Sequence, residues 1–171
     1  MHRVVRSAAL ALVLLVASAA GVAAGARTAA TGASDLAGPF EGTFEGTALG
    51  SGGTTAPLTL ALTQRGTEVS GTVSLGEGLY VATAACGGAP VPAGTVQGSG
   101  QTPPDDLRHV RVQTSLRVQG VAVPVSLAGD LSPDGQTITA VAALDVPAFC
   151  GPDPEIPSTL QRTAGDAAPA A

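Results

Sequence analysis

Apolar and polar residues alternate with a period of two along most of this chain, and that period predicts strands. Residues 39–48 put Phe40, Gly42, Phe44, Gly46 and Ala48 on one face, with Glu41, Thr43, Glu45 and Thr47 on the other. Residues 57–64 gather Leu58, Leu60 and Leu62. After Arg65-Gly66-Thr67, residues 68–75 return with Val69, Gly71, Val73 and Leu75 inward, which completes a hairpin. A fourth strand is expected over 79–85, a Pro/Gly loop over 87–93, a short strand over 94–99 and a break over 100–106. The strongest alternation lies in 107–118. There Val110, Val112, Thr114, Leu116 and Val118 face one way, and His109, Arg111, Gln113, Ser115 and Arg117 face the other. Gln119-Gly120 turns the chain into 121–128, with Val121, Val123, Val125 and Leu127 on the core face and Pro124 opposite, marking an edge or a bulge. Ser132-Pro133-Asp134-Gly135 is a turn. Residues 136–146 add Ile138, Ala140, Ala142, Leu144 and Val146, and a Pro-rich loop over 147–157 leads to a closing strand at 158–163.

This gives about eight or nine short strands and no competing helix. The expected fold is all-β: a single antiparallel up-and-down barrel of about eight strands over residues 38–163, which leaves no exposed sheet edge. A two-sheet sandwich is the alternative. In this register Glu41 and Glu45 point outward; a slip of one residue would bring both inside.

The remaining segments read differently. Residues 1–26 have the form of a secretory signal peptide: Arg3 and Arg6, an apolar run from Ala8 to Ala20, then Ala24-Gly25-Ala26 before the cut, with Ala17-Ser18-Ala19 as a second candidate site. A membrane anchor would need about 20 strongly apolar residues, whereas residues 7–26 are mostly small, rich in Ala with Gly and Ser. Residues 27–37 read as a flexible linker and 164–171 as a disordered tail. The expected location is therefore outside the cytoplasm, periplasmic or extracellular, with no stable membrane span after cleavage. Two of the eight Arg leave with the signal, taking the formal charge from −5 to −7. That balance excludes a general nucleic-acid binder, which needs a basic face. Lys, Asn and Trp are absent while Ala, Gly and Pro abound, a composition typical of a GC-rich bacterial genome.

The two cysteines, Cys86 and Cys150, stand 64 positions apart in the mature part, and in an exported chain an even count implies a disulfide. Closing such a loop restricts the unfolded chain by about 4 kcal/mol. This matters for a core with only three Phe and one Tyr in the whole sequence. At its two ends the chain resembles the lipocalin and calycin barrels, which open on Gly-x-Trp and close on an Arg packed over that ring. Here Gly42-Thr43-Phe44 opens the first strand and Arg162 ends the last, with Phe in place of Trp. The resemblance implies a barrel closed by the pair Phe44 and Arg162, with a cup for a small apolar ligand.

Candidate chemistry is sparse. The chain has no G-x-S-x-G, no H-E-x-x-H and no phosphate loop. His109, the one mature histidine, could join Ser99 or Ser115 and Asp105 or Asp106 in a triad, but His109 and Ser115 lie about 20 Å apart along one strand. Asp105 and Asp106 point to opposite faces, and Asp130 with Asp134 fits a turn better than a calcium loop. No enzyme activity, cofactor or metal is expected. His109, Arg111 and Arg117 share an outer strand face that suits an anionic partner, unless those Arg pair with Glu41 or Glu45. Two functions remain. One is an exported binding module for a small apolar ligand, with Gly42, Gly46, Gly71, Ala140 and Ala142 leaving interior room. The other is a structural or protein-interaction domain of the cell envelope, without a ligand cavity.

Overall fold

A computed structural model describes residues 37–163. The expected signal peptide, most of the linker and the tail lie outside the described residues. Ten strands follow in order: β1 (Gly42–Leu49), β2 (Thr55–Arg65), β3 (Glu68–Leu75), β4 (Tyr80–Thr83), β5 (Gly87–Pro90), β6 (Gly94–Gln101), β7 (His109–Val118), β8 (Val121–Leu131), β9 (Thr137–Leu144) and β10 (Glu155–Arg162). Eight of them close an antiparallel barrel in the order β1-β10-β9-β8-β7-β6-β3-β2, with β1 also paired to β2. The fold is a barrel, and the sandwich alternative is set aside.

Alternation places the core as the sequence pattern expects in the best-patterned strands. Phe44, Ala48, Leu58, Leu60, Leu62, Val69, Leu75, Val110, Val112, Ile138, Ala140, Leu144 and Leu160 are buried. Glu45 is exposed, and Glu41 accepts the Gln64 backbone N–H at 2.8 Å. The register therefore has no one-residue slip.

Several boundaries depart from expectation. The fourth strand covers only Tyr80–Thr83 and does not join the barrel. It pairs with Gly87–Pro90, expected to be loop, in a separate two-stranded sheet. β6 runs on to Gln101, through two residues of the expected break, because β3 pairs with it along its whole length. β10 begins at Glu155, inside the expected loop, where Glu155, Ile156 and Pro157 already pair with β9. Ala37, at the end of the expected linker, bridges to Arg65. Val121 is 65% exposed rather than core, because β8 pairs with β9 only from Val125 onward and the start of β8 stands clear of it. Pro124 sits at that boundary without a bulge. Its carbonyl accepts from Asp145 N at 3.0 Å, so its missing N–H faces the side where the β9 ladder has ended.

The two ends of the barrel are built differently. At the end that holds the start of β1 and the end of β10, the chain is sealed by buried polar side chains. Arg162 stacks on Phe44, its guanidinium carbon 4.3 Å from the ring centroid. Its Nε donates to Gly135 O (2.8 Å), Nη2 to Pro39 O (2.8 Å) and Nη1 to Glu41 O. Gln64, 1% exposed, accepts from Phe40 N at 2.9 Å and donates to Gly66 O at 3.0 Å.

Candidate functional site

The opposite end is the mouth, and a hairpin straps it. The chain leaves the barrel at the end of β3, forms β4 and β5, and is bonded through Cys86 to Cys150 in the loop between β9 and β10. The two Cα atoms are 4.9 Å apart, and Ala85 N donates to Cys150 O at 3.0 Å. β3 and β9 stand four strands apart whichever way the barrel is counted, so the hairpin reaches from one wall to the wall opposite. On the way it is held by the β1–β2 loop: Ala82 N donates to Ser51 Oγ (2.9 Å) and Tyr80 N to Thr54 Oγ1 (3.1 Å). Leu79, Val81 and Val91, on and beside the hairpin, are buried.

The tip of the β7–β8 hairpin faces this strap. Beyond Gln113, β7 no longer pairs with β6; the seam there is spanned by Thr114 Oγ1 donating to Gln97 O at 2.7 Å. In the ladder, residues 115–124 therefore pair only with one another and form a flap above the wall. Between flap and strap lies an open groove of about 400 Å³. Val81 and Val91 line it from the strap side, Val118, Val121 and Val123 from the flap, and Val146 from the β9–β10 loop, with the disulfide at its edge. Below it an interior cavity of about 60 Å³ is walled by aliphatic side chains of all eight barrel strands, with Leu79 above. Leu144 belongs to both. Deeper still, a void of about 20 Å³ lies among Leu60, Leu62, Val110, Val112 and Ile138.

These volumes correct the expectation of a roomy interior. A pocket for a small molecule occupies about 300–1,000 Å³, a range the groove reaches and the interior does not. The inward glycines explain the difference. A Cβ on Gly46 would fall on the carbonyl oxygen of Thr159, and one on Gly71 on that of Ala61. At these positions the neighbouring strand's backbone occupies the space a side chain would take. Glycine there lets the barrel curve tightly and opens no ligand-sized space; Gly71 borders only the void of about 20 Å³.

The other sequence candidates lie elsewhere. His109 Nδ1 meets Asp130 Oδ1 at 2.8 Å across β7 and β8, in place of Asp105 or Asp106. Asp106 instead accepts from Arg108 N at 3.1 Å. Ser99 pairs with Gln113 and Ser115 with Pro124, so no triad assembles. Arg111 and Arg117 are exposed on β7, and β1 stands four strands away in both directions, which overturns their pairing with Glu41 or Glu45. Arg111 instead borders a shallow depression of the outer wall together with Glu68 and Gln113. Among the described residues no group of three His, Cys, Asp or Glu is placed to hold a metal ion, and no helix is long and apolar enough to cross a membrane.

Sequence reasoning missed two residues of consequence, Gln64 in the plug and Ser158, which lines the interior cavity. Both continue the inward parity of their strands, Gln64 after Leu62 and Ser158 before Leu160. That was the available signal.

No family model matches the chain, and no curated protein is similar to it. Among solved structures it is similar to one described as "Structure of EF1p2_mFAP2b bound to DFHBI", at 11% identity and a TM-score of 0.48, over 73% of this chain and 94% of that one.

Proposed function

We propose that this protein is an exported binding module that takes a small apolar ligand at the barrel mouth, seated in the groove between strap and flap and reaching toward the interior cavity. One observation carries the reading. A barrel sealed at one end by a hydrogen-bonded polar plug presents at its other end a groove of ligand size walled by valines. Burying such side chains against an apolar molecule is favourable by about 25 cal/mol per Å² removed from water. The resemblance at Phe44 and Arg162 to lipocalin-like barrels points the same way. The disulfide suits an oxidising compartment, periplasmic or extracellular.

The test is titration of purified mature protein with N-phenyl-1-naphthylamine, an uncharged fluorophore. The expected result is saturable enhancement with one probe bound per chain. Val121→Arg, at an exposed groove position, should abolish it while leaving the circular dichroism unchanged. Absence of saturable binding, or an unaltered V121R, would end this reading. A second reading, an interaction domain of the envelope, draws on the exposed Arg111 and Arg117. It requires a partner whose binding is lost when both become Glu.

A further inference from the structure

We propose that Ser158 sets the specificity of this site, and that the ligand is an uncharged, mainly aliphatic molecule carrying one hydroxyl or carbonyl group that hydrogen bonds to Ser158 Oγ. The proposal rests on the mouth reading above and adds the chemistry of what binds there. Ser158 lies on β10 and lines the interior cavity, and its residue is 7% exposed. Among the described residues its hydroxyl has no hydrogen-bond partner. Its ladder neighbours are Ala48 on β1 and Ala140 on β9, and Ala142 lines the same cavity. These short side chains leave the hydroxyl uncovered, where Leu or Val would hide it.

The rest of the lining decides the class. Thr114 is the other polar side chain there, and its hydroxyl already donates to Gln97 O. No charged side chain lines either the cavity or the groove. An ionised ligand group would leave water without a counter-charge, which disfavours it strongly. A cavity of about 60 Å³ has room for water. Water there would meet only Ser158 and the spare acceptor capacity of Thr114, fewer polar groups than a buried water normally binds. An apolar body in the valine groove with a single polar group directed at Ser158 satisfies every surface present.

The test is displacement of N-phenyl-1-naphthylamine by octane, 1-octanol, 2-octanone and octanoate, from wild type and from Ser158→Ala. Loss of one neutral hydrogen bond should weaken 1-octanol and 2-octanone about fivefold in S158A. Octane should be unchanged, Ser158→Thr should restore the two polar ligands, and octanoate should displace more weakly than 1-octanol. A second measurement needs only the wild type: the carbonyl ¹³C resonance of bound 2-octanone should lie downfield of its position in hydrocarbon solvent. An unshifted resonance, equal effects of S158A on octane and octanol, or tighter displacement by octanoate would each overturn the proposal. If the fluorophore and all four compounds fail to bind wild type, the mouth reading itself falls.

Discussion

Arg162 offers the most direct test of how the closed end is held. Replacing it with Ala removes three donors at once, those reaching Gly135 O, Pro39 O and Glu41 O, and the cation above Phe44. A hydrogen bond from a charged donor contributes about 1.5–3 kcal/mol. Water entering the vacated space satisfies part of what is lost, so about 1 kcal/mol per bond is the fair figure, and the ring contact adds about 0.5–1 kcal/mol. The expected loss is about 3–4 kcal/mol, a large fraction of the 5–15 kcal/mol typical of a domain. With an m value of about 1.5 kcal/mol/M, the urea midpoint of R162A should fall by about 2 M at constant m. Arg162→Lys keeps a cation near the ring but lacks the planar fork that reaches three carbonyls, so it should recover less than half of the loss. A double-mutant cycle with Phe44→Leu should give a coupling of about 0.5–1 kcal/mol. A loss below about 1 kcal/mol in R162A, or a Lys variant as stable as wild type, would refute the idea that this guanidinium closes the barrel.

Three further outcomes follow from the structure. Gly46→Ala should destabilise by about 2 kcal/mol, because its Cβ meets backbone that must move. Gly94→Ala, with nothing within 4 Å of its Cβ, should stay within about 0.5 kcal/mol, and urea unfolding checks both. Replacing both Cys86 and Cys150 with Ser should cost up to about 4 kcal/mol. It should also raise amide exchange in residues 80–90 well before that of β2 and β3; equal acceleration everywhere would contradict the strap. The carboxyl of Asp134 is held below its ordinary value of 3.8, first by the Ser132 hydroxyl and then by the Gln136 N–H. Because the folded state depresses this pKa, its stabilisation is present above 3.8 and is lost as pH falls through the folded value. The gap in urea midpoint between wild type and Asp134→Asn should thus be constant near neutrality and shrink below pH 3.8.

Parity carried much of the fold. Leu58, Leu60 and Leu62 could only share one face of a strand, and Val69 and Leu75 could only face them across a short turn; all five are buried. Parity does not name a strand's neighbour. Tyr80–Thr83 alternates like its predecessors, yet it pairs outside the barrel, and only the position of Cys86 hinted that this stretch is tethered elsewhere. β6 was hard to bound because its inward positions are Gly94, Val96, Gly98 and Gly100, which offer one apolar side chain to an alternation argument. Its length is set by pairing with β3. The glycines at 46 and 71 show a further limit. A sequence cannot distinguish a glycine that leaves a hole from one that admits the neighbouring strand, and here the second holds. Ser158 was visible as an inward position, but its consequence depends on Ala48 and Ala140, brought beside it by two different ladders.

The asymmetry of the two ends follows from where the large side chains fall. Of the three Phe in the sequence, Phe40 and Phe44 are fully buried near the closed end, while Phe149 is 79% exposed beside the mouth. Two rings, a guanidinium and a carboxamide fill most of the closed end, where only a void of about 20 Å³ lies above them. The upper barrel has only Ala, Val, Leu, Ile and two hydroxyl residues to fill a similar cross-section, and a residual cavity remains. A longer core side chain on β10 would have filled it, but that position holds Ser158. The strap supplies Leu79, Val81 and Val91 from above, yet it is tethered over the wall bearing Cys150 and leaves the flap side open. Low aromatic content thus concentrates packing at one end of the barrel and puts its unfilled apolar surface at the other. The groove stands there, and there the mouth reading will hold or fail.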